Sequence, residues 1–176
     1  LFYTVLGGLW AVVINDLVQL LLALFGAFVV AYVALDNHKE GDYSPYLFKR
    51  TDKGFTWKSI SGNIPYRTLV WRMVQDPVRE NLLFAATEFG IYTSLNGGLS
   101  WQLLEGSPTI SFRDLTIQKR ENDLVAASFG RGFYVLDDYS ALREFNKTNL
   151  NKKGKLFKPR PAKWYIPKSI IGNTGS

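Results

Sequence analysis

Two short segments constrain this chain more than anything else in it. Arg50-Thr51-Asp52-Lys53-Gly54-Phe55-Thr56-Trp57 and Ser94-Leu95-Asn96-Gly97-Gly98-Leu99-Ser100-Trp101 share one pattern, and Asp52 to Asn96 and Trp57 to Trp101 are both 44 residues apart. The chemistry is that of a hairpin turn. Asp52 and Asn96 suit acceptance from turn amides, Gly54 and Gly98 tolerate positive φ, and Thr56, Ser94 and Ser100 supply hydroxyls to close the loop. Trp57 and Trp101 are expected to swing beneath their turns into the core.

A strand pair recurs at nearly the same interval. Leu82-Leu83-Phe84-Ala85-Ala86-Thr87-Glu88-Phe89-Gly90-Ile91-Tyr92 parallels Leu124-Val125-Ala126-Ala127-Ser128-Phe129-Gly130-Arg131-Gly132-Phe133-Tyr134, offset by 41 at the alanines and 42 at the glycines. Each copy reads strand, glycine bend, strand. A third turn is expected near Leu136-Asp137-Asp138, where Asp138 fits but no glycine or tryptophan follows. Repeats of 40–45 residues built from four short strands are the mark of a propeller blade. The expected fold is therefore mainly β, a partial propeller of about two to three four-stranded blades between Tyr32 and Phe145, preceded by one apolar helix. Closed propellers need roughly four to eight blades, so this stretch reads as a piece of a larger one.

The turn pattern resembles the Asp-box, or BNR, repeat. Together with Ala34-Leu35-Asp36-Asn37-His38, Asp42 to Lys49, Thr87 to Gly90, Phe112 to Gln118 and Phe129 to Asp138, it is similar to large bacterial sortilin-like BNR propellers, some described as glycosyl hydrolases. The resemblance covers about residues 32–168. It implies an exported or cell-surface protein, in which such turns lie at the blade periphery and serve structure.

The front end is physically different. From Leu1 to Leu35 the only formal charge is Asp16, and Leu17–Leu35 is a 19-residue run whose strongly polar member is Gln19. As a helix that run spans roughly 28 Å, close to a bilayer's hydrocarbon thickness, so a transmembrane helix and membrane contact through residues 1–35 are expected. Val30 to Leu35 also reads as a strand. Tyr3 to Val13, followed by Asn15-Asp16-Leu17-Val18-Gln19, resembles one helix of a sodium/solute symporter, with Asn15 where that family usually has Thr. Symporter sites form where several broken helices meet, so one such helix would not transport alone. The expected division is residues 1–30 apolar helix, 31–145 blades, and 146–176 a basic, proline-containing extension.

Charge follows this division. Residues 1–142 carry 12 Lys/Arg against 14 Asp/Glu, whereas residues 143–176 carry nine Lys/Arg against Glu144 alone. The net +6 thus belongs to a tail, expected to be solvated, and no nucleic-acid module is present. The absence of cysteine and a lone histidine, His38, remove thiolate chemistry and any multi-histidine metal site; neither cofactor nor metal is expected.

Among polar residues, Arg131 between two glycines and Glu88 at the matching bend are the ligand-binding candidates, with a pairing of Arg131 to Asp137 as the structural alternative. Asp36 and His38 form a candidate acid/base pair. Asp137 and Asp138 point to opposite faces of a strand and do not suit a glycosidase pair. Arg72, Arg113 and Arg131 do not make a sialidase-type triad evident, one arginine per blade being unremarkable. The expected function is a binding or interaction scaffold for a protein or glycan, or for the missing blades of a larger propeller. The alternatives are part of a glycoside hydrolase or other hydrolase with residues outside this chain, and a membrane-transport remnant from the front end.

Overall fold

The computed structural model describes residues 30–51, 56–145, 154–158 and 160–161. These residues are mainly β, in three antiparallel sheets that follow one another along the chain. The first comprises β1 (Ala31–Asn37), β2 (Asp42–Arg50) and β3 (Lys58–Ser59). The second comprises β4 (Val70–Gln75), β5 (Leu83–Thr87), β6 (Gly90–Ser94) and β7 (Gln102–Leu103). The third comprises β8 (Phe112–Gln118), β9 (Asp123–Ser128) and β10 (Phe133–Leu136). Each sheet is an up-and-down meander, β1-β2-β3, β4-β5-β6-β7 and β8-β9-β10.

The sheets stack like blades. β1 lies beside β4, and β8 beside both β4 and β5. Strand β5 explains why: its apolar run leaves no polar face, because side chains alternate between two cores. Leu83 and Ala85 join Leu47, Ile60, Ile64, Val70 and Trp101 in the core against the first sheet. Leu82, Phe84 and Ala86 face the other way, packing with Phe112, Leu115 and Leu124 of the third sheet and with Tyr139 after it.

Corresponding strands also share their irregularities. The β4–β5 register shifts between Val70 and Arg72, and the β8–β9 register shifts between Phe112 and Asp114. These β-bulges are 42 residues apart, so the repeat seen at the bends extends to the first strand of each sheet.

The expected four strands appear only in the second sheet. Among the described residues the first sheet has no counterpart of β4, since β2 and β3, like β6 and β7, flank a tryptophan-ended turn. The third lacks a counterpart of β7: after β10 the chain enters a 3-10 helix, Tyr139–Glu144, with Asp138 as N-cap. With no glycine or tryptophan after it, the third turn takes the local alternative its sequence offers. Asp138, at φ 44, accepts from the Ser140 amide.

The apolar front end lies largely outside the described residues. Where it enters them, Ala31–Asn37 is strand β1, paired antiparallel with β2 from Ala31↔Arg50 onward. The expected helix through Leu35 is thus corrected at its end, because the alternation that pairs Tyr32 and Ala34 with β2 outweighs simple apolarity. No helix among the described residues is long and apolar enough to cross a membrane. The basic extension is only partly described, yet Arg160 does not stand free in solvent. It bonds the Asp123 carboxylate at 3.2 Å and pairs with Asp137 at 3.4 Å.

Candidate functional site

The bends and bulges of the three sheets meet on one surface. Trp71 and Arg113 occupy the bulge positions of β4 and β8, and bulges re-aim side chains out of the ladder. The Arg113 guanidinium stacks on the Trp71 ring at 3.7 Å from its centroid. The Trp71 indole donates to Glu88 Oε2 at 2.9 Å, and the Ser111 hydroxyl donates to the same oxygen at 3.0 Å. Arg113 Nη2 lies 3.9 Å from that oxygen. His38, from the first sheet, meets the Trp71 ring edge-on at 5.7 Å. Phe129 continues the row beyond Arg113, at 5.1 Å, and is 70% exposed.

Backbone pairing holds this row in place. Glu88 N donates to Leu69 O at 3.0 Å, and Phe129 N donates to Ser111 O at 2.9 Å. The two bonds are equivalent in the repeat, so Glu88 and Phe129 leave their sheets at matching points. The neighbouring bulge residues add a cross-sheet ion pair, Arg72 Nε to Asp114 Oδ1 at 3.4 Å. The outcome is an aromatic, cation and carboxylate surface contributed by all three sheets.

Of the sequence-derived candidates, Glu88 and His38 fall within this row. Asp36 Oδ1 accepts from His38 Nδ1 through a short contact, so the two do form a pair, beside Trp71. Arg131 is exposed in the third bend, and its expected partner Asp137 is taken by Arg160 instead. The arginines do not converge: Arg72 pairs with Asp114 and Arg113 with Glu88. Asp137 and Asp138 are committed to Arg160 and to capping. Sequence reading missed Trp71 and Ser111 and weighed Arg113 only as a member of an arginine triad. Extending the 42-residue offset back to the first strands pairs Trp71 with Arg113, and would have found both.

The second turn is built as its residues suggest. Asn96 Oδ1 accepts from the Ser100 amide at 2.9 Å, Asn96 Nδ2 donates to Ser100 Oγ at 2.7 Å, and Ser94 Oγ accepts from Gly98 N at 2.9 Å. Trp101 is 2% exposed, and its indole donates to Ile60 O at 2.8 Å. Asn63 clamps the Trp101 backbone from both sides, at 2.7 and 3.0 Å. In the first turn Asp52 and Gly54 lie outside the described residues. Trp57 is 45% exposed under Arg50 rather than in the core. The reason is geometric: Trp101 packs on the loop of the preceding sheet, and among the described residues no sheet precedes the first.

A second polar cluster escaped sequence reading altogether. Asp76 is 1% exposed and accepts from Tyr139 Oη at 2.6 Å, from Arg143 Nη2 at 2.7 Å and from the amides of Val78 and Arg79. Arg79 in turn donates to the carbonyls of Leu95, Leu142, Arg143 and Phe145. Burial pushes the Asp76 carboxyl up, but the bonds from Arg143, Tyr139 and the two amides together hold it below its ordinary value. Burial and the neighbouring carboxylate push the Tyr139 hydroxyl well up, so it remains a donor. With every acceptor site of Asp76 filled, this cluster fastens the 3-10 helix to the second sheet.

A family model described as "Sodium:solute symporter family" matches residues 1–135. No curated protein matches the sequence. Among solved structures, one titled "Crystal structure of AFV00434, an ancestral GH74 enzyme" is similar at 22% identity with a TM-score of 0.46. The match covers 59% of this chain and 14% of that one.

Proposed function

We propose a function for the described sheets from the premise that the chain belongs, by the match over residues 1–135, to the sodium:solute symporter family. The residues quoted above for that likeness lie within 1–19, outside the described residues. The described remainder is antiparallel sheet, and the proposal concerns that part.

It is a binding scaffold, part of an exported BNR-type propeller, whose ligand face is the row from His38 through Trp71 and Arg113 to Phe129. The supporting observation is the Trp71–Glu88–Arg113 contact, drawn from two sheets and flanked by the exposed Phe129 ring. Aromatic faces beside fixed hydrogen-bonding groups suit a ligand with apolar and hydroxylated surfaces, the chemistry of a glycan. Glu88 is held by Trp71, Ser111 and Arg113, which suits it to positioning more than to proton transfer.

A polysaccharide panel screened by affinity electrophoresis tests this. The intact chain is expected to be retarded by at least one glycan, with Trp71→Ala weakening that binding at least tenfold. Retention unaffected by Trp71→Ala would overturn the reading. Turnover of aryl glycosides lost in Glu88→Gln would favour the hydrolase alternative instead.

A further inference from the structure

Among the described residues the repeat leaves one position unfilled. Around Trp101 stand Leu47, Ile60, Ile64, Val70, Leu83 and Ala85, with Tyr92 packed alongside. One repeat later, the corresponding residues are Ile91, Leu104, Pro108, Phe112, Leu124 and Ala126, with Tyr134. These residues line a cavity of about 180 Å³ between the second and third sheets. The correspondence is fixed by pairing as well as spacing. Ile60 N donates to Leu47 O at 2.9 Å and Leu104 N to Ile91 O at 2.8 Å, while Ala85↔Tyr92 matches Ala126↔Tyr134.

Trp101's own counterpart, 42 residues on, is Arg143, which is drawn away to Asp76. The glycines record the vacancy. A Cβ on Gly62 would meet Trp101 Cδ1 at 3.2 Å, whereas one on Gly106 would meet nothing within 4 Å. Leu104 O, the counterpart of the carbonyl that receives the Trp101 indole, accepts instead from the Ser107 hydroxyl at 2.8 Å and the Ser107 amide at 3.1 Å.

We propose that this cavity is a binding site for a planar aromatic ring of indole size. Its walls repeat those that hold an indole one sheet earlier, and apolar cavities of about 150 Å³ bind rings such as benzene in other proteins. Rotation of the Ser107 hydroxyl off Leu104 O would free one of that carbonyl's two lone pairs for a ring N–H, the Ser107 amide keeping the other. No residue is shared with the Trp71 face, so the proposal is independent of that reading.

Titration of the full chain with indole, followed by amide NMR, tests it. Saturable binding is expected, with shifts centred on Leu104, Gly106 and Leu136. Leu136→Trp, which enlarges a side chain on the cavity face of β10, is expected to weaken binding at least tenfold, and Trp71→Ala to leave it unchanged. N-acetyltryptophanamide binding at least as tightly as indole would identify a peptide side chain as the natural occupant, and indole alone a free ring. No saturable binding up to the solubility limit, or shifts centred on Trp101 instead, would overturn the proposal even if Leu136→Trp fails to fold.

Discussion

Asp76 shows how much a single buried charge can organise when it is fully bonded. Removing one partner of a buried ion pair costs about 3–5 kcal/mol, because the other is left uncompensated. Asp76→Ala is expected to lose stability in that range, and Tyr139→Phe about 1–3 kcal/mol, both read by denaturant unfolding. The pH dependence follows from the direction of the shift. A carboxyl held below its unfolded value of about 3.9 contributes stability that is complete above that pH. The contribution is lost as pH falls through the lower folded value. Asp76→Asn is therefore expected to flatten that part of the acid limb; an unchanged acid profile would contradict the assignment. The two tryptophans should part ways as well. Trp101→Ala is expected to cost about 3–5 kcal/mol, and Trp57→Ala, half-exposed, clearly less in the same assay.

At the level of elements, turns and strands differ in how openly they declare themselves. The turn at 94–101 was readable because its function is local: Ser94, Asn96 and Ser100 bond within their own loop. Strand β5 was readable because an unbroken apolar run suits a strand buried on both faces. The 3-10 helix at Tyr139–Glu144 was not, because what holds it is Asp76, 63 residues away from Tyr139. Trp71, and the place of Arg113 beside it, were missed for a similar reason, since a bulge is set by cross-strand register rather than by residue type. The turn glycines supply a test. Gly98 has φ +91 and a Cβ there would sit 2.7 Å from Ile60 Cβ, whereas Gly106 has φ +86 in open space. Both Ala substitutions are strained, but Gly98→Ala should lower the thermal midpoint markedly more. Equal losses would mean that close packing against Ile60 contributes nothing.

For the molecule as a whole, repetition places the candidate surface. The second and third sheets each put their bend and bulged first strand at the same end, and stacking brings those groups into one row. Among the described residues the first and third sheets lack strands that the second has, and Trp57 and β10 are exposed. The row depends on the bulges of β4 and β8 lying side by side, and a double-mutant cycle between Trp71 and Arg113 measures that contact directly. Stacking at 3.7 Å is expected to give a coupling energy of about 0.5–2 kcal/mol in equilibrium unfolding. Additivity of Trp71→Ala and Arg113→Ala within about 0.3 kcal/mol would contradict it.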